Sequence, residues 1–294
     1  MTRIGFVGAG RMGGPMIRRL AAAGHEVRAR AGTADKERVV TELGAVPVAD
    51  AAAAADGADI VVVCVFDDDQ VRQVCLDGPL LTAMSAGSTL VVHTTGSPDT
   101  VRSIAEAARG VGVTVVDAPV SGGPHDIAAG TLTVFAGGDA AAVDVARAAL
   151  AAYADPVVHV GGTGSGQCVK LVNNALFAAN IALLGDAVRL AGQLGVDEGA
   201  LLGALLHGSG ASRALDGVAR RGSVASFTAS VGEFLRKDVS AVRHAVADLG
   251  GSLGLLDEVV GTQWPRTDTA ATSDRNRPDD DHIAAGVPDV RSVR

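Results

Sequence analysis

An N-terminal α/β domain built on a parallel sheet, followed by an all-α domain and joined to it by one long helix, is the fold this sequence predicts. Two observations carry the expectation. Through the first half, short β-branched runs alternate with alanine-rich helical stretches, the pattern of βαβ units whose sheet is covered on both faces. From about residue 166 the strand-like runs stop and helical patterns continue to the 260s.

Taken in order, "RIGFVG" reads as a strand and "RMGGPMIRRLAAAG" as a helix ending at Gly24. "EVRARA" is the next strand, "DKERVVTELG" the next helix, and "AVPV" a short strand. "DIVVVCVF" is a continuous apolar run of the kind buried on both faces. "STLVVHTT" and "VTVVDAPV" repeat the strand pattern around the helical "SPDTVRSIAEAARGVG". "GTLTVFAGG" and "ADPVVHVGG" read as the last strands, flanking the helix "DAAAVDVARAALAAYA". The glycine-rich "GGTGSG" at 161–166 then reads as a hinge, and "GQCVKLVNNALFAANIALLGDAVRLAGQLG" as a long interdomain helix free of proline. Domains are expected at 1–163 and 164–263. The tail from 264 to 294, rich in Asp, Arg and Pro, reads as disordered because it has too little apolar area to offset its ordering entropy.

Composition narrows the function. Apolar residues make up 48% of the chain and charged ones 20%, as in a soluble globular protein. Aromatics are only 3%, so Ala, Val and Leu must build the core. A net charge of −8 argues against a nucleic-acid surface, which needs a basic face. Three cysteines without CxxC spacing suit a reducing compartment better than a disulfide framework or a zinc site, and no metal is expected. The first residues enter a strand directly, leaving no signal peptide, and no run of 18 uncharged apolar residues suggests a membrane span. A cytoplasmic protein is the expectation.

Gly8-Ala9-Gly10-Arg11-Met12-Gly13 is a G-x-G-x-x-G between the first strand and first helix. Gly8 permits a tight turn, Gly10 lets a pyrophosphate approach the backbone, and Gly13 allows close helix–strand packing. The phosphates then meet free N–H groups at a helix N-terminus. In that strand–turn–helix context the motif predicts a Rossmann-type dinucleotide site. The second strand ends Arg28-Ala29-Arg30-Ala31-Gly32 with no acid to hold a ribose 2′-hydroxyl. Arg30 either meets a 2′-phosphate or is a solvated arginine, so the cofactor is NADP or NAD with a lean to NADP.

Two further motifs follow. "DAPVSGG" at 117–123 ends a strand in Ser121, Gly122 and Gly123. A hydroxyl and two N–H groups there can hold a substrate carboxylate, or the segment is an ordinary glycine turn. Lys170 and Asn174, four residues apart, share a helix face. A lysine in an apolar cleft can have its pKa lowered by desolvation and so move a proton; on the helix alone, a surface lysine is the simpler reading.

Together "GFVGAGRMGGPM", "DAPVSGG…AAGTLTVFAGG", "GGTGSGQCVKLVNN" and "FLRKD" resemble, in order and spacing over about residues 3–260, the β-hydroxyacid dehydrogenase family. That family includes the 3-hydroxyisobutyrate dehydrogenases and tartronate semialdehyde reductases and, more distantly, the 6-phosphogluconate dehydrogenases. The resemblance implies an NAD(P)-dependent oxidoreductase of small 3-hydroxy acids, assembled as a dimer or tetramer. It implies Lys170 as catalytic acid/base, Asn174 as the residue that hydrogen-bonds the substrate, and Ser121, Gly122 and Gly123 as the carboxylate site. Thr95 and Lys237 fall at the family's cofactor positions, and with Gly8, Gly10, Arg11, Met12, Gly13, Arg30, Val65 and Phe66 they make up the expected cofactor site.

Some positions depart from the family pattern. Ala31 and Gly32 stand where Asn-Arg is common, and Phe66-Asp67 where a loop often begins Leu-Pro. His125, Asp126 and Ile127 replace a small Gly-Ala pair, with His125 a surface histidine in the simpler reading and a substrate contact in the other. Two rival functions are an imine reductase of the same superfamily and a non-catalytic dinucleotide-binding module. Both branches usually lack the lysine, so Lys170 weighs against them.

Overall fold

The computed structural model describes residues 1–264; the segment read as a disordered tail lies, from residue 265, outside them. Nine strands form one sheet among the described residues: β1 (Arg3–Val7), β2 (Glu26–Arg30), β3 (Val46–Val48), β4 (Ile60–Val63), β5 (Thr89–Val92), β6 (Thr114–Asp117), β7 (Val120–Ser121), β8 (Leu132–Gly137) and β9 (Ala154–Gly161). Their order is β3-β2-β1-β4-β5-β6-β8-β7, with β9 also paired to β8. The connecting helices are α1 (Gly13–Ala22), α2 (Ala34–Glu42), α3 (Ala51–Ala55), α4 (Asp68–Cys75), α5 (Leu80–Ala83), α6 (Pro98–Arg109), α7 (Pro124–Ala129) and α8 (Ala140–Leu150).

Strands β1 to β6 are parallel, as the alternating pattern predicts. The sheet then changes direction: β8 runs antiparallel to both β6 and β7. The cause lies in "DAPVSGG". Pro119 has no N–H for a ladder, so the predicted strand "VTVVDAPV" splits into β6 and β7, and the Pro119 carbonyl accepts from Phe135 N–H at 3.0 Å. Only the one-and-a-half-turn α7 separates β7 from β8, too short a connection for a parallel crossover.

Both faces of the sheet are covered by aliphatic side chains. Ile4 and Phe6 of β1 join Met16, Ile17 and Leu20 of α1 and Val143 and Leu150 of α8 on one side. Val7, Val61, Val63, Leu90 and Val92 meet Leu80, Val101 and Ile104 on the other. All residues of β4 and β5 are buried, which accounts for their unbroken apolar runs.

One polar pair lies inside. His93 and Tyr153 are 2% and 0% exposed, and their side chains meet at 2.7 Å through His93 Nε2. His93 Nδ1 donates to the Ala118 carbonyl at 2.5 Å, so Nε2 accepts from the tyrosine hydroxyl. Burial pulls the His93 pKa down to about 4, against the hydrogen bond to Ala118. The imidazole is therefore a neutral structural link between β5 and the start of β9.

After Gly161 the chain is helical: α9 (Ser165–Gln193), α10 (Glu198–Leu205), α11 (Arg213–Arg221), α12 (Val224–Asp248) and α13 (Leu255–Gln263). Ala178, Ala179 and Ala182 let α9 lie close to Leu215 and Val218 of α11, Leu235 and Val239 of α12, and Val260 of α13. By length and hydropathy α9 is long and apolar enough to cross a membrane. Its buried face is instead part of the helical core, and polar residues occupy its first turns.

Candidate active site

The C-terminal edge of the parallel strands carries the loops that matter. After β1, Gly8 has φ +111°, and a Cβ there would drive into the Cys64 carbonyl. A Cβ at Gly13 would strike the Gly8 carbonyl and the Phe6 ring. At Gly10 a Cβ would meet nothing within 4 Å, so this glycine faces open space. Met12 is the N-cap of α1 and no side chain caps the helix, which leaves its first N–H groups for an anion. These features fit the pyrophosphate of a dinucleotide. Arg11 and Arg30 lie exposed nearby in sequence and at the end of β2 respectively, and Ala31 is buried beside an open Gly32.

The loop after β4 presents Val65 and the exposed Phe66. Val65 N–H donates to Thr94 Oγ1 at 2.9 Å, tying this loop to the end of β5, where Thr95 is half-buried.

The helix that carries Lys170 is fastened to the same edge. Asp117, at the end of β6 and fully buried, accepts from Gly164 N–H at 2.7 Å and Gln167 N–H at 2.9 Å. Burial pushes the Asp117 pKa up while these backbone donors pull it down. Gln167 donates to the Thr94 carbonyl at 2.8 Å and accepts from Gly96 N–H at 3.0 Å. The first turn of α9 is thus held by β5 and β6 together, and Lys170 follows within one turn.

Lys170 is half-buried, and the protein around it lowers its pKa by desolvation. The opposing influence is the negative charge of Asp238 on α12. Burial in turn raises the Asp238 pKa, against the pull of Lys170 and Lys237. One turn beyond Lys170, Asn174 is 5% exposed. Asn174 Oδ1 accepts from Asn173 Nδ2 at 3.3 Å, but Asn174 Nδ2 is buried with no hydrogen-bond partner among the described residues. An orphaned buried donor is costly, and this one lies one turn from the desolvated lysine.

Lys237 reaches from α12 to the β4 loop. Its ammonium donates to the Phe66 carbonyl and lies 4.3 Å from the centre of the Phe66 ring. This cation–π contact ties α12 of the helical half to the loop after β4.

Ser121 ends β7, paired with Thr133 of β8. Gly122 follows with φ +129°, and Gly123 N–H points at Asp126 Oδ2, 2.7 Å away. Ser121 thus lies on the antiparallel β7–β8 pair, and one of the two glycine N–H groups already has an acceptor. His125 Nε2 lies 3.2 Å from the same carboxylate oxygen.

The predicted residues fall into three groups along one edge: the glycine turn, the Val65–Phe66 and Thr95 loops, and the Lys170–Asn174 face. Arg30 stands apart at the end of β2, where a nucleotide ribose would come. Asp117, Gln167 and Asp238 were not among the candidates. Asp238 had a signal, since it follows Lys237 directly in "FLRKD"; Gln167 had only its place in the hinge segment.

A glycine turn on a doubly covered sheet, followed in the chain by a long helix that carries a desolvated lysine, is the arrangement of the two-domain nicotinamide-dependent dehydrogenases. The comparisons agree. Residues 3–162 match the family described as the NAD binding domain of 6-phosphogluconate dehydrogenase. Residues 164–284 match the one described as the NAD-binding domain of NADP-dependent 3-hydroxyisobutyrate dehydrogenase. The chain is 35% identical to 3-hydroxyisobutyrate dehydrogenase of Pseudomonas aeruginosa, over 74% of this chain and 73% of that protein. It is 32% identical to 2-hydroxy-3-oxopropionate reductase of Escherichia coli, over 73% of each. Among solved structures, 3-hydroxyisobutyrate dehydrogenase of Mycobacterium tuberculosis, determined with L-serine, superposes with TM-score 0.79 at 28% identity, covering 88% of this chain and 91% of that one. The chain belongs to the β-hydroxyacid dehydrogenase family and is an NAD(P)-dependent oxidoreductase of the CH–OH class.

Proposed function

We propose that the protein interconverts a small 3-hydroxy acid and its semialdehyde or keto acid, with Lys170 as the general acid/base. The observation that carries the reading is the buried, unpartnered Asn174 Nδ2 one turn from a desolvated Lys170. A substrate hydroxyl or carbonyl oxygen placed between them satisfies the amide and lies within reach of the amine. In oxidation Lys170, in its neutral form, takes the hydroxyl proton; in reduction its ammonium returns the proton to the carbonyl oxygen. Asn174 holds that oxygen in line, and Ser121 with the Gly122 backbone holds the carboxylate at the other end. The nicotinamide supplies the hydride acceptor or donor when bound.

For the cofactor, Gly8, Gly10 and Gly13 with the α1 N-terminus take the pyrophosphate, and Val65, Phe66, Thr95 and Lys237 line the nicotinamide side. The absence of an acid at the end of β2, together with Arg30, supports NADP over NAD. On the far side of α9, Val172, Leu176, Leu183, Leu190 and Leu194 recur at helical spacing and are all exposed. That stripe supports a homo-oligomer packed through the helical half, acting in the cytoplasm.

A panel of small 3-hydroxy acids and semialdehydes, each offered with NADP(H) and NAD(H) and followed by nicotinamide absorbance, tests the proposal. Turnover of at least one pair, with NADP favoured, is the expected outcome. Tight cofactor binding without turnover of any member contradicts it.

A further inference from the structure

The cradle after β7 carries a negative charge of its own. Asp126 occupies the third position of α7, and its Oδ2 accepts from the N–H of Gly123, the N-cap. The carboxylate is held firmly there. Ile127, next in the chain, is fully buried in the core, and the Asp126 carbonyl accepts from Thr131 N–H at 2.9 Å. A Cβ on Gly122 would lie 2.6 Å from Asp126 Oδ2, so the aspartate sits against the glycine that follows Ser121. The side chain nearest the Asp126 carboxylate is that of His125, which is 73% exposed, against 29% for Asp126 itself. Arg19 lies at the other end of α7, beside Gly130, and its Nε donates to the Ala152 carbonyl.

Two consequences follow for a group entering the cradle. One of its donors, the Gly123 N–H, is already used. A bare carboxylate on Ser121 and Gly122 would also come to rest beside a fixed carboxylate, and like charges at that range repel by an amount worth a tenfold change or more in affinity. A carboxylate has about four acceptor positions and Asp126 uses only part of them here, so it can take a further donor from the substrate. We propose that Asp126 determines substrate charge: it favours 3-hydroxy acids that carry a protonated amine beside the carboxylate over 3-hydroxy acids with a bare carboxylate. Ser121 and Gly122 then hold the carboxylate, and Asp126 takes the ammonium. The inference rests on the hydroxy-acid reading above.

The test compares kcat/KM for serine, each enantiomer in turn, with kcat/KM for 3-hydroxypropionate, which lacks only the amine. Asp126→Asn keeps an oxygen for Gly123 N–H and removes the charge; Asp126→Ala removes both. Unchanged cofactor affinity shows that each variant is folded. The wild type is expected to prefer one serine enantiomer, and the preference should fall about tenfold in Asp126→Asn, in part through faster use of 3-hydroxypropionate. Oxidation of both substrates with the same ratio in wild type and Asp126→Asn overturns the role of Asp126 and leaves the hydroxy-acid reading intact. A wild-type preference for 3-hydroxypropionate does the same. Oxidation of neither compound, nor of any other 3-hydroxy acid, overturns the hydroxy-acid reading and this inference with it.

Discussion

Lys170→Ala is expected to lower kcat by about 10²- to 10⁴-fold, the usual contribution of a positioned acid/base, with cofactor affinity within about twofold of wild type. The separation follows from where the side chain lies. Lys170 stands on the first turns of α9, whereas the pyrophosphate turn is on β1 and α1, held by backbone contacts that the lysine does not touch. Loss of the amine also leaves Asn174 able to bind the substrate oxygen, so KM should change less than kcat. Small primary amines added to the assay should restore part of the rate, because they replace the missing base without restoring any packing. Steady-state kinetics with fluorescence titration of the reduced cofactor measures both quantities.

The second large effect separates two glycines of one motif. Gly10→Val should fold normally, with thermal stability near that of wild type, because the new side chain enters open space. That space is where a pyrophosphate must approach the backbone, so cofactor affinity should fall by about 100-fold or more. Gly13→Val should do the reverse in order of severity. Its Cβ meets the Gly8 carbonyl and the Phe6 ring, and overpacking of that kind costs about 1–3 kcal/mol or more. It should lower the melting temperature even without cofactor. Melting curves of the apo proteins, paired with cofactor titrations, distinguish the two outcomes. Equal melting temperatures for the two variants would contradict the assignment of a binding role to Gly10 and a packing role to Gly13.

Much of this was legible in the sequence because the signals are local. The glycine turn needs only six consecutive residues, and the buried runs of β4 and β5 announce a two-faced sheet. The reversal at β8 was not legible in the same way. An apolar strand pattern carries no direction, and only the shortness of the connection through α7 sets it. The acidic run in "CVFDDD" read as loop, yet Asp67 caps α4 by accepting from Gln70 N–H, and Asp68 binds Ser97 N–H and Thr100 Oγ1. Short helices of this kind have too few turns to show a period.

The site divides along the same line. Lys170 and Asn174 are one turn apart on one helix and could be paired from spacing. Asp238 acts on Lys170 from a helix far along the chain, and no spacing rule reaches that distance. Asp117 looked like part of a carboxylate motif, but its oxygens hold the backbone of α9. The departure at Asp126 was visible in sequence; its bond to Gly123 N–H was not.

The pH dependence of kcat/KM for hydroxy-acid oxidation tests the role of Lys170 most directly. A lysine whose pKa is lowered by burial must lose its proton before it can accept one, so the rate should rise with pH through a limb below the ordinary lysine value of 10.5. Asp238 holds that pKa up, so Asp238→Asn should move the limb to still lower pH. In Lys170→Met the limb should vanish along with most of the rate. A limb at the same pH in wild type and Asp238→Asn, persisting in Lys170→Met, would show that another group carries the proton.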